Sequence, residues 1–250
     1  MQPLRLILLS GWGIDQRIWQ PLEAHWPSDL AAAAQAVEWP GYGDTPPLAA
    51  NATIQELADA MDESLASDAV WVGWSLGGLL ATALLAYLPP PRGLILLGAG
   101  DAFCVRDEVS AKGGVTSAEL SAFQRAFQRA PTATWQHFLR WQTQGEPSPR
   151  QAYRQLHDLL GDTPPADSTT LATGLHWLAS IDNRPCLAAP PCPVVRLIGE
   201  HDPLISPAQR RISEPLSNVG HCPMLSQPQV LAAEIVRHAN QMTNVSTAAL

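Results

Sequence analysis

The run Gly73-Trp74-Ser75-Leu76-Gly77, with Gly78 after it, holds the residue types that nucleophilic catalysis needs. An apolar stretch (AVWV, 69–72) leads in and another (LLATALLAYL, 79–88) leads out, so the motif reads as strand, tight turn and helix. The flanking glycines admit a strained backbone at the serine, which presents its hydroxyl at the N-terminus of a helix. Free amides and the helix dipole there favour developing negative charge. A serine hydroxyl is a poor nucleophile until a neighbouring base takes its proton, so a histidine and an acid must come from elsewhere in the chain.

Of the seven histidines, His25, His137, His157 and His176 fall in helical stretches and His238 in the last helix. His201 adjoins a candidate acid. His221 stands in a loop (218–223) just before the closing helix, where a base following the acid in chain order belongs. Asp202 is the favoured acid, because it sits in the turn Gly199-Glu200-His201-Asp202-Pro203 after the apolar run VVRLIG. Asp101 is the rival at the end of GLILLGA, and Asp182 reads as a helix-end residue. An oxyanion formed at Ser75 would be met by two backbone N–H groups, that of Leu76 and that of Trp12 in the first strand's loop. The Trp12 side chain is then free to wall a pocket or simply to fill its loop.

These groups need a scaffold. Apolar runs at 4–9, 33–39, 69–74, 93–99 and 193–199 predict buried strands. Between them, 15–26, 53–65 (Thr53 with Glu56 as a capping box), 76–88 and 229–241 predict helices, and TNVSTAAL at the end reads as frayed. Strands alternating with helices imply an α/β chain with a mostly parallel sheet and helices on both faces. The rhythm breaks near Phe103, and 117–180 shows amphipathic helical segments without a strand. Residues 1–102 and 181–250 therefore form the expected core, and 103–180 a helical cap inserted where a lid would lie.

Composition limits the partners. The 250 residues carry 15 Lys and Arg against 23 Asp and Glu, a net charge of −8, which argues against general nucleic-acid binding. The deficit lies outside 103–180; within 121–157, Arg125, Arg129, Arg140, Arg150 and Arg154 face only Glu146, which reads as a solvated face or a docking face for an acidic partner. Four cysteines without C-x₂-C spacing suggest reduced thiols in a cytoplasmic protein. LRLILLS has strand length rather than signal-peptide length, and no run approaches the ~18–20 apolar residues of a membrane span. The expectation is a soluble monomer, with no membrane partner, metal or cofactor.

The segments SGWGIDQRIW, WPGYGDTP, WVGWSLGG, GEHDPLI and GHCP resemble the α/β-hydrolase fold across nearly the whole chain. Trp12-Gly13 with the serine motif, RDE at 106–108 and FLRWQTQG at 138–145 resemble, more narrowly, the carboxylesterases of biotin synthesis. Those enzymes hydrolyse the methyl ester of pimeloyl-acyl-carrier protein. The resemblance implies substrate contacts from Trp12, Ser75, Leu76, Phe138, Leu139, Arg140, Trp141, Gln142 and His221, and carrier docking through Arg150 and Arg154. The same fold also suits a broad short-chain ester hydrolase, a related lyase or an inactive binding protein. Ser10 stands where the resembling family usually has His, and only 19 residues separate Asp202 from His221. PAQRRISEPLSN between them must hold one helical turn and a short strand.

Overall fold

A computed structural model describes residues 3–105 and 113–248. Its first half runs through β1 (Leu6–Leu9), a 3-10 turn (Gln16–Trp19), α1 (Gln20–Glu23), β2 (Ala34–Val37), α2 (Ile54–Met61), β3 (Val70–Trp74), α3 (Leu76–Leu84) and β4 (Gly93–Leu97). Five helices follow: α4 (Ser117–Arg129), α5 (Pro131–Gln142), α6 (Pro149–Leu160), α7 (Ser168–Ser180) and α8 (Arg184–Ala188). The chain ends through β5 (Val194–Gly199), α9 (Pro207–Arg211), β6 (Glu214–Leu216), α10 (Pro223–Ser226) and α11 (Pro228–Ala248).

The six strands form one sheet in the order β2-β1-β3-β4-β5-β6, and every described pairing is parallel. Strands β1, β3 and β4 are buried along their whole length, which is why they read as unbroken apolar runs rather than alternating ones. The edges are treated differently. Strand β2 is half-open, and β6 is a three-residue strand containing Pro215, which blunts the edge against further pairing.

Helix starts follow local chemistry. Thr53 and Glu56 cap α2 reciprocally, as the sequence suggests, and Thr116 with Glu119 and Ser206 with Gln209 do the same for α4 and α9. Each such cap contributes about 1 kcal/mol. Two expectations are corrected. Residues 15–26 do not form one helix, because Pro21 has no N–H to continue it; a 3-10 turn and one α turn replace it. The C-terminal residues do not fray at 243, since no Gly or Pro stops α11 before Ala248; the last two lie outside the described residues. No described helix is long and apolar enough to cross a membrane, and all four cysteines are free thiols.

Glu38, just past β2, gives the fold a pH dependence. Burial pushes its carboxyl up to about 7, against a bond from the Gln16 N–H that acts the other way. The native state therefore holds this proton more tightly than the unfolded chain, whose value is 4.5. Stability should fall as pH rises from 4.5 to 7, with the penalty complete above that. Glu38→Gln is expected to raise stability at pH 8 by about 1 kcal/mol, a figure discounted for partial solvent exposure, and to do nothing at pH 4. Urea unfolding at both pH values checks this, and an equal gain at both would contradict it.

Candidate active site

Ser75 sits alone between β3 and α3 with φ 56° and ψ −124°, a conformation that side-chain-bearing residues avoid. Strain of this kind costs about 1–3 kcal/mol and persists only where neighbours enforce it. Here the Ser75 N–H donates to Leu97 O at 2.9 Å, and Ser75 O accepts from Gly78 N at 3.0 Å. The turn also depends on Gly77. A Cβ there would stand 2.5 Å from Leu9 O and 2.6 Å from Ser10 O, so only glycine lets α3 start against the end of β1.

The end of β5 and the loop after β6 bring His221 and Asp202 together. His221 Nδ1 lies 2.7 Å from Asp202 Oδ2, with the two residues 1% and 0% exposed. Asp202 Oδ1 accepts from Leu204 N at 2.9 Å, which fixes the carboxylate plane. His221 Nε2 is buried and bonded to no described residue, so it remains available to a hydroxyl proton. The histidine is tied to the serine turn through Trp74, whose Nε1–H donates to His221 O at 2.8 Å and whose ring lies 5.4 Å from the imidazole. Asp101 is elsewhere: its carboxylate faces Gln209 Nε2 at 3.4 Å. The short link holds the single helical turn α9 and strand β6 that its 12 residues allow.

Cys222, next to His221, is not poised as a nucleophile. Burial, then the nearby Glu146 and Asp202 carboxylates, pushes its thiol well above the ordinary range and keeps it protonated.

The backbone N–H groups of Trp12 and Leu76 donate to no described acceptor, which leaves both free for an oxyanion. The Trp12 side chain donates to Leu171 O at 2.8 Å and meets Phe123, Phe127 and Phe138 edge to face at 5.3–5.6 Å. It is thus both a loop filler and a wall. A small apolar cavity of about 20 Å³ lies against it, lined by Leu120, Phe123, Phe138, Trp141 and Leu175. A second, equally small cavity of about 20 Å³ lies between Leu76, Trp39, Tyr42 and Trp177. Phe123 and Phe127 of α4 were not singled out by the sequence, although their i, i+4 spacing was visible.

The expected contact segment 138–142 is divided among different faces of α5. On a helix, positions three apart share a face, so Phe138 and Trp141 wall the cavity while Arg140 is exposed, stacked 5.1 Å above the Tyr153 ring. Arg140 lines the open groove beside Arg150 and Arg154 rather than either apolar cavity. Leu139 is fully buried in the core and lines neither cavity. Gln142 is fully buried, with both side-chain polar atoms unpaired among the described residues, an arrangement that a bound polar group would satisfy. Arg150 and Arg154 are exposed and flank an open groove with Arg140. The RDE run at 106–108 lies outside the described residues.

Comparison with known proteins identifies the family and the fold. Residues 6–234 match the family model described as "Alpha/beta hydrolase family". A pimeloyl-[acyl-carrier protein] methyl ester esterase of Shewanella woodyi is 31% identical over 96% of this chain and 91% of its own. One of Aromatoleum aromaticum is also 31% identical, over 93% of this chain and 98% of its own. Among solved structures, an esterase from Exiguobacterium antarcticum superposes with TM-score 0.76 at 18% identity, covering 95% and 92% of the two chains. With a buried histidine–carboxylate pair tied to a strained serine turn, and a family match running from the first strand into the last helix, the chain belongs to the α/β-hydrolase family.

Proposed function

We propose that the chain is a serine carboxylesterase that removes the methyl group from pimeloyl-acyl-carrier protein methyl ester in biotin synthesis. The observation that carries the chemistry is the His221–Asp202 pair at 2.7 Å, anchored by Trp74 beside Ser75. His221 Nε2 takes the Ser75 proton as Oγ attacks the ester carbonyl, and Asp202 holds the Nδ1–H. The N–H groups of Trp12 and Leu76 receive the oxyanion, the proton passes to the leaving methoxide, and methanol departs. Water then attacks the acyl-enzyme with His221 again as base.

The substrate class rests on the relatives' names and on the helical segment that acts as a cap. The apolar side chains around Trp12, with Phe123, Phe138 and Trp141 among them, suit contact with a methylene chain that opens the small cavity they line. Outside, Arg125, Arg129, Arg140, Arg150 and Arg154 are exposed, and none is ion-paired with a described carboxylate. Their one acidic neighbour in 121–157, Glu146, is buried, so the exposed charges of that stretch are all cationic, with Glu119, Asp158 and Asp162 at its margins. Such a face complements an acidic carrier and steers it.

Methanol release from the carrier-linked methyl ester, beside turnover of p-nitrophenyl butyrate, tests this reading. Reversing Arg150 and Arg154 to Glu should raise KM for the carrier-linked ester on the order of 10-fold, an effect that weakens as salt screens the wild type. The free ester should change less than about 2-fold, since it does not touch that face. Equal effects on both substrates would reduce the arginines to cap scaffolding. Hydrolysis of p-nitrophenyl butyrate without any methanol release would leave a broad short-chain esterase.

A further inference from the structure

The peptide unit joining His221 to Cys222 is held from both sides. Its carbonyl accepts from Trp74 Nε1 at 2.8 Å, and its N–H donates to Glu146 Oε1 at 2.7 Å. Trp74 belongs to the central strand β3, whereas Glu146 follows α5 in the helical segment between β4 and β5. The second Glu146 oxygen accepts from the Ser226 hydroxyl, so one carboxylate spans α10 from the residue before it to its last. Glu146 is only 4% exposed. A carboxylate taken out of water is tolerated where both oxygens are bonded, and this one uses both on the loop that carries the base.

The backbone beside it is just as closely engaged. A Cβ at position 145 would stand 2.0 Å from His201 O and 3.0 Å from Gly220 Cα. Only glycine fits there, and residues 145–146 thereby touch both the loop bearing Asp202 and the loop bearing His221. No other residue of the segment between β4 and β5 bonds the His221–Cys222 peptide among the described residues.

We infer that Glu146 is a positioning residue for His221: it fixes the base's main chain from the cap side and makes correct seating of the cap a condition for an aligned imidazole. This rests on the reading of His221 as the base for Ser75. An imidazole carried on a displaced backbone loses its line to the serine hydroxyl, and displacement by about 1 Å can cost on the order of 100-fold in rate. Asp202 sets the ring's rotation and tautomer, while Trp74 and Glu146 set the point from which the ring projects.

The test uses Glu146→Ala, Glu146→Gln and Glu146→Asp in the full-length protein, each assayed well below its unfolding midpoint. Two readouts are taken across pH: the rate at which a fluorophosphonate labels Ser75, and kcat and KM for p-nitrophenyl acetate. Glu146→Ala is expected to lower the labelling rate and kcat by about 10- to 100-fold, with KM within about 3-fold. Glu146→Gln should keep both within about 5-fold, because its amide oxygen accepts from Cys222 N–H and its NH₂ donates to Ser226. If Glu146→Ala does not fold, Glu146→Asp serves. Its carboxylate is drawn back by about 1.5 Å and cannot hold both partners, so a loss of about 5- to 20-fold is expected. Wild-type labelling and kcat in folded Glu146→Ala, or in Glu146→Asp where that variant is needed, would overturn the inference, even with a lowered unfolding midpoint. Those results would leave the esterase reading intact. An active Ser75→Ala protein would instead overturn the reading on which the inference rests.

Discussion

Ser75→Ala is expected to lower ester turnover by at least ~10³-fold while leaving the unfolding midpoint nearly unchanged. The rate falls because the covalent route disappears, and only oxyanion binding and substrate positioning remain. Stability holds because alanine keeps the Cβ, so the turn at φ 56° is as strained as before, and Ser75 makes no side-chain cap bond to α3 whose loss would be felt. A fluorophosphonate should label Ser75 alone among the serines, read by peptide mass. Retained activity in the alanine protein, or labelling at another serine, would remove Ser75 from the mechanism.

Asp202→Asn should be nearly as damaging, for a reason the hydrogen bonds supply. Leu204 N–H donates to Oδ1, so the oxygen of an introduced amide is drawn to that position. The NH₂ then faces His221 Nδ1, where the carboxylate now lies at 2.7 Å. Imidazole must accept there and carry its proton on Nε2, the tautomer that cannot act as base. The equivalent substitution in serine proteases lowers kcat on the order of 10⁴-fold. Asp101→Asn, which alters a contact to Gln209 and none to His221, should change kcat/KM by less than about 10-fold. If Asp101→Asn proved the worse variant, the acid would follow β4 rather than β5.

The parts of the site that were legible in the sequence are those whose causes are local. Residues 69–88 announce the serine turn because an apolar strand, a glycine pair and an apolar helix lie side by side. Thr53 with Glu56 announces α2 for the same reason, and Thr116 with Glu119 carries an equal signal for α4. The pairing of His221 with Asp202 rather than Asp101 was a preference only, since sheet geometry decides which strand end lies beneath the imidazole. Glu146 entered the sequence reading as one negative charge among five arginines. Its inward turn depends on Gly145 meeting Gly220 across 75 positions, which no local pattern encodes. Which members of 138–142 share a face was less legible, because the resemblance groups them as one segment whereas a helix divides consecutive residues among different faces.

Leu94 pairs with Val194 in adjacent strands, one hundred positions apart. The chain between them is a loop in the polymer sense, and the entropy lost on closing it grows only with the logarithm of its length. Doubling such a loop costs about 0.6 kcal/mol, and halving it recovers as little. The sheet therefore barely senses how much chain is threaded between β4 and β5, and whole helices can be gained, lost or exchanged there while the serine turn keeps its geometry. Substrate range in this scaffold can thus drift by segment replacement rather than by repacking the core. The restriction falls at a few junction points, chief among them Gly145 and Glu146, where a transplanted segment must still meet the loop that carries His221.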